Sequence, residues 1–294
     1  MDQQQTAATN TIPVTRHKIS FTVGTKLLIS IGAMLIALII FLSTATIILL
    51  TEDKQAYTFD AKSTEALLTG RQFSTTVAHM IDTLRLSLAA DDPGHPTTPQ
   101  EARAVTSIIQ NQSDAAAVAI AFLDTQTGKL TPFSFYSNAG LLESSHLDLD
   151  QAKLFSMLTP DWVQTALPDI NADGLGFINL SRTEGAPMMA VLFADKAHAG
   201  PQGTPVAIGV APLNDLLSEL RGLNLTVATR AGWVLLDTNT TSMYSRTNLS
   251  NDPLVNESKA MQVKTGTKAY TLNGKRYLGG YSKPGYNLVV MTRT

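Results

Sequence analysis

From Leu27 to Leu50 the chain reads LLISIGAMLIALIIFLSTATIILL, apolar throughout and without a single charge. At about 1.5 Å of rise per residue this makes a helix of about 35 Å, enough to cross a hydrocarbon core of about 30 Å. Inside lipid each peptide group must bond within its own segment, so the run is predicted as helix. A secretory signal has an apolar core of only about 7–15 residues, so the pattern predicts a retained membrane helix over 27–51. Arg16, Lys18 and Lys26 precede it, and Glu52 and Asp53 follow it directly. That asymmetry puts residues 1–26 in the cytoplasm and everything after the helix outside. The tail from Met1 to Thr15 is polar, without apolar periodicity, and is expected to be disordered.

Beyond the membrane the apolar positions keep a helical spacing. Phe59, Ala66, Phe73 and Met80 recur every seven residues, with Val77 and Leu84 on the neighbouring row. They predict a long outer helix over 52–91, with one face packed on its own domain or serving as a dimer seam. Asp91-Asp92-Pro93-Gly94-His95-Pro96 ends it. Thr98, Pro99 and Glu101 form a capping-box pattern that opens a helix to about Gln110.

From Ala115 the period shortens to that of strands. Val118–Leu123 and Leu130–Tyr136 flank a turn at Asp124–Gly128 and predict a hairpin. Leu149–Leu167 returns to helical spacing and is broken by Pro160. Strands follow at Phe177–Leu180, Met188–Phe193 and Pro205–Val210, then a short helix around Leu213–Leu220 closed by Gly222. A second unit begins with strands at Leu223–Thr229 and Trp233–Asp237, followed by a polar loop from Asn239 to about Ser258. The end predicts a three-stranded meander: Lys268–Leu272, the turn Asn273-Gly274, Lys275–Tyr281, the turn Pro284-Gly285, and Tyr286–Thr292. The fold class is thus α+β.

Composition narrows the function. The 294 residues carry a formal net charge of −2, with the tail at +2 from Asp2 against Arg16, Lys18 and Lys26, which leaves −4 for the remainder. No nucleic-acid partner is indicated. There is no cysteine, so the outer part does without disulfides, which favours a bacterial cell envelope. Nucleophile elbows, phosphate loops and His-Glu-x-x-His are all missing from the sequence, so no enzyme activity is expected.

A membrane helix running into a long outer helix, two successive small α/β units and the closing pattern Asn-Gly-Lys-Arg-Tyr…Gly-Gly-Tyr-Ser…Pro-Gly-Tyr-Asn-Leu-Val-Val resemble a double Cache sensor domain, over roughly Glu52 to Thr294. The resemblance implies two PAS-like antiparallel sheets, a distal unit over 92–212 and a proximal unit over 213–294. It also implies an extracytoplasmic input domain, anchored in a bacterial inner membrane as a homodimer, of the kind found on chemoreceptors, histidine kinases and cyclases. An envelope module that docks a partner protein is the alternative. Members that bind amino acids carry Arg-x-Trp-Tyr ahead of an alanine and a later aspartate. Here Trp162 and Ala166 match, while Pro160 and Val163 replace the arginine and tyrosine, and Ala211 or Pro212 falls near the aspartate. The family's clamps for an amino acid's carboxylate and ammonium are therefore missing. Sensors of this family usually return through a second membrane helix, so the chain is expected to be the input part of a longer receptor.

Two sets of residues are candidate sites. In PAS-like units a small molecule sits between the sheet and the segments laid over it, which singles out Tyr136, Trp162 and Arg182 in the distal unit. The aromatic pair offers apolar faces with polar tips, and Arg182 a fork for a carboxylate or phosphate. Asp169-Ile-Asn171-Ala-Asp173-Gly174 reproduces the first half of an oxygen-ligand calcium loop, but Leu180 stands where the bidentate glutamate belongs, so at most weak calcium binding is expected and no other cofactor. His146, Asp148 and Asp150 alternate in a further, weaker metal pattern.

Overall fold

The computed structural model describes residues 22–112, 114–183, 185–272 and 274–294. The polar tail with Arg16 and Lys18, and Asn273 of the Asn-Gly turn, lie outside the described residues. The chain divides after Lys54. Helix α1 (Val23–Ala90) contributes to both parts. In the first part the apolar stretch has no buried side chain, and α1 is the one helix among the described residues long and apolar enough to cross a membrane. The hydroxyls of Thr44, Thr46 and Thr51 donate back to the carbonyls of Ile40, Leu42 and Ile47 at 2.8, 2.8 and 2.7 Å, so these polar side chains present no unpaired donor to an apolar surrounding.

The second part, Gln55–Thr294, is one compact unit. After α1 come α2 (Pro99–Gln112), β1 (Ala117–Leu123), β2 (Leu130–Ser137), α3 (Ala139–Ser144), α4 (Gln151–Met157), α5 (Pro160–Asp173), β3 (Leu175–Asn179), β4 (Met188–Ala194) and β5 (Thr204–Pro212). They are followed by α6 (Asn214–Glu219), β6 (Leu225–Thr229), β7 (Val234–Asp237), α7 (Thr240–Tyr244), α8 (Pro253–Ala260), β8 (Thr265–Leu272), β9 (Lys275–Gly285) and β10 (Leu288–Arg293). The strands form two antiparallel five-stranded sheets, ordered β2-β1-β5-β4-β3 and β7-β6-β10-β9-β8. The two orders are the same when each sheet is numbered from its own first strand.

Strand alternation sorts the side chains into separate cores. On the inner face of the distal sheet, Val118, Ile120, Val191 and Ala207 meet Phe73, Val77, Met80 and Leu84 of α1, the predicted apolar row. This core continues through Leu225, Val227, Leu288 and Val290 of the proximal sheet. On the outer face Ala119, Leu192, Val206 and Ile208 lie under Leu154 of α4, Leu158 just after it, and Val163 and Ile170 of α5. A third cluster joins Leu254 and Val255 of α8 to Tyr281, Val289 and Met291. Close approach of α1 to the proximal sheet depends on Gly280, where a Cβ would fall 2.7 Å from the Lys62 carbonyl carbon. Beside it the Thr292 hydroxyl donates to the Lys62 carbonyl at 2.9 Å.

The structure corrects two local expectations. The stretch read as a polar loop contains α7 and α8, the latter capped by Asp252, whose carboxylate accepts from the Leu254 N–H, with Pro253 at its first position. The last turn is formed by Tyr286 and Asn287 rather than Pro284 and Gly285. Both have left-handed φ, 55° and 59°, and Leu288 pairs with Gly285 across them. A two-residue loop with both φ positive matches the twist of the strands it joins. Elsewhere the capping box forms as predicted, with the Thr98 N–H donating to Glu101 at 2.7 Å and the Glu101 N–H to the Thr98 hydroxyl at 3.3 Å.

Candidate functional site

Trp162 lies on the first turn of α5, which Pro160 starts at the predicted break. Its indole is half-buried at the rim of the outer-face core. There it meets residues from the proximal unit. Trp233, which follows the left-handed Gly232 (φ 99°), packs edge-to-face on it with ring centroids 6.0 Å apart at 77°. Arg246, just after α7, lays its guanidinium over the Trp162 ring at 4.0 Å. Asn179 at the end of β3 holds the two sheets in this register. Its amide donates to the carbonyls of Val234 and Met243 at 3.0 and 2.8 Å, and its own oxygen accepts from the Ser181 N–H.

Arg182 is exposed, three residues beyond Asn179, while Arg246 is three residues beyond Met243. Burial, and after it the positive charge of Arg182, lower the Arg246 guanidinium from its ordinary pKa. Neither arginine has an ion pair or a side-chain hydrogen bond among the described residues. Arg246 also has a left-handed backbone, φ 51°, a conformation that costs a non-glycine residue about 1–2 kcal/mol.

Tyr136 is elsewhere. It belongs to the inner-face core, on the side of the distal sheet opposite Trp162, and so does not join that site. Its hydroxyl donates to the Asp91 carboxylate at 2.6 Å, as does that of Ser134 at 2.6 Å. Burial, reinforced by this bond to a carboxylate, pushes the Tyr136 hydroxyl up to about 12. It ties β2 to the end of α1.

The calcium pattern is also corrected. Asp169, Asn171 and Asp173 lie in the last turns of α5, closed by the left-handed cap Gly174 (φ 74°), not in a loop. At about 100° per residue, Asp169 and Asp173 share a face that Asn171 leaves. Both carboxylates receive the Asn287 amide, at 3.3 and 2.7 Å, while the Asn171 carbonyl accepts from Lys196 at 2.6 Å. Burial raises Asp169 above the usual carboxylate range, the Asp173 charge adds to this, and Arg230 and the Asn287 bond oppose it. Asp148 and Asp150 are held by Lys153 at 2.6 and 3.7 Å. Among the described residues no three acidic, histidine or cysteine side chains gather around a metal-sized space.

Trp233 and Arg246 went unread in the sequence. The chain has only two tryptophans, which was a usable signal for Trp233. Nothing local marks Arg246, in a polar Ser-Arg-Thr run.

No family model matches the sequence, and no curated protein matches it either. Solved structures do match in fold. The periplasmic sensory domain of the Campylobacter jejuni chemoreceptor Tlp1 is 12% identical with a TM-score of 0.52, over 81% of this chain and 95% of that one. The extracellular domain of rpHK1S-Z16, described as a histidine kinase, is 15% identical with a TM-score of 0.52, over 81% and 94%. That of soHK1S-Z6, likewise described, is 16% identical with a TM-score of 0.50, over 83% and 96%. The chain therefore has the fold of the sensory domains of chemoreceptors and histidine kinases, two PAS-like sheets carried on one long helix.

Proposed function

We propose that this chain is the small-molecule-sensing input part of a signal-transduction receptor. It is anchored by α1 in a bacterial inner membrane with its N-terminus in the cytoplasm, works as a homodimer, and has no catalysis of its own. One observation carries the reading: a single helix, apolar at its start, packs one face against both sheets, in a chain whose fold matches that of a solved periplasmic sensory domain. A ligand that shifts either sheet acts on α1 through that face. The Trp162 region is the place for it, because there an aromatic surface and a guanidinium without a partner among the described residues converge from both units.

The test is thermal unfolding of the full chain in detergent micelles against a metabolite panel. A compound that binds only the folded state stabilises it by about 2.7 kcal/mol at a hundred times its dissociation constant. An upward shift of the midpoint with at least one compound is expected. No shift across the panel would overturn the sensor reading in favour of an envelope module that docks a partner protein.

A further inference from the structure

The junction between the two sheets carries an arrangement that packing alone does not account for. Arg246 is half-buried, yet no carboxylate pairs with it among the described residues, and the charge that acts on it is that of another arginine, Arg182. Like charges brought together repel, more so where one of them is half-buried, and a chain that keeps them so gains from a counter-ion. The guanidinium lies over the Trp162 face at 4.0 Å, so its plane is sheltered by the indole while none of its five in-plane donors is taken by protein among the described residues. The left-handed Arg246 backbone closes α7, with its N–H donating to the Met243 carbonyl at 3.2 Å and the Thr247 N–H to the Ser242 carbonyl at 3.1 Å. Arg182 comes from the distal sheet's β3–β4 connection and Arg246 from the proximal unit, in segments tied together by the Asn179 bonds to Val234 and Met243.

From this geometry we infer that Arg182 and Arg246 together bind a small oxyanion, a dicarboxylate or a phosphate, which bridges the two sheets at the Trp162–Trp233 pair. This rests on the sensor reading and gives its ligand a chemical class. Two guanidinium forks from different sheets suit a ligand with two anionic ends or one multiply charged centre. Occupancy draws the two units together at one point and sets a negative charge beside the Trp162 ring that covers the Arg246 guanidinium.

The chain supplies its own reporter, because Trp162 and Trp233 are its only tryptophans. The full chain in detergent micelles is titrated with succinate and, separately, with inorganic phosphate, against sodium chloride at matched ionic strength. A saturable change in tryptophan emission is expected with one of the two anions and not with chloride, and whichever anion it is fixes the source. Arg182→Gln and Arg246→Gln should each weaken the apparent affinity about tenfold. Should Arg246→Gln lower the unfolding midpoint, the exposed Arg182→Gln decides alone. The proposal falls if neither anion changes the emission up to about 10 mM, or if the change persists undiminished in Arg182→Gln. A neutral metabolite that raises the midpoint of the parent and of both variants equally would overturn the anion site and leave the sensor reading standing. A null result with the anions and with the whole metabolite panel would remove both.

Discussion

The side-chain amide of Asn287 donates to the carboxylate of Asp173 across 2.7 Å, and so fastens the turn between the last two strands to the end of α5. This contact, together with the weaker one to Asp169 and the Arg230 N–H donating to the Asn287 carbonyl at 2.6 Å, holds the turn at Tyr286 and Asn287. Asn287→Gly keeps the left-handed backbone and loses the amide, and should cost about 1 kcal/mol. Asn287→Ala loses both and should cost about 2 kcal/mol. Denaturant unfolding of the full chain in micelles measures the difference; equal stability of parent and both variants would show that the amide holds nothing.

Asp169 sets a pH dependence. Its folded-state pKa is raised, chiefly by burial and then by Asp173, so the folded state binds this proton more tightly than the unfolded state. That contribution is complete below the ordinary aspartate value and is lost as pH rises through the raised one. Asp169→Asn, which still offers Asn287 an acceptor, should therefore be more stable than the parent at neutral pH and lose less stability between about pH 4 and pH 7. Asp237 is raised in the same direction by burial, so some of the slope should remain. Unfolding midpoints measured across this range give the comparison, and an unchanged slope would rule Asp169 out.

Tyr136→Phe tests the bond between the end of α1 and the distal sheet. It removes a donor from the buried Asp91 carboxylate, whose other oxygen has no partner among the described residues. The expected loss is about 2 kcal/mol, the range for hydrogen bonds to charged groups, with the anion response of tryptophan emission unaltered because Tyr136 is on the other face of the sheet.

Trp162→Ala should lose both the Arg246 contact and packing, at about 2 kcal/mol, less than for a fully buried tryptophan because the ring is half exposed. Arg182→Lys should leave stability within about 0.5 kcal/mol of the parent, since Arg182 is exposed and has no ion pair among the described residues. It should nonetheless weaken anion binding, because a planar two-pronged donor is replaced by a point charge. Full-strength binding by Arg182→Lys would count against fork recognition.

What was legible in the sequence was what is periodic. Phe73, Val77, Met80 and Leu84 had to share a face on a helix, and they do. The short apolar runs of β1, β5 and β10 likewise implied buried strands. Helices α7 and α8 are too short for a period to show in them, although Asp252 before Pro253 was a readable start signal. Pro284 and Gly285 carry the stronger local turn preference, but the Asn287 bonds to a helix more than a hundred residues earlier override it. Tyr136 and Trp162 were grouped on shared chemistry. Which side of a strand faces the long helix depends on how the sheet is laid on it, and the residues of β2 alone do not state that. The meeting of Trp162 with Arg246 depends on packing between two sheets and left no local trace.

The shared strand order has a consequence for how the chain is made. Each sheet sets its first and last strands side by side at the centre, β1 against β5 and β6 against β10, so neither can close until its final strand has left the ribosome. Until then the apolar face of α1 has emerged without the strands it will cover. Such pairings close long loops before they gain contacts, which slows folding. The distal sheet supplies its part of that face once β5 has emerged and the proximal sheet once β10 has, so the nascent chain depends until β5 emerges on shelter for Phe73, Val77 and Met80.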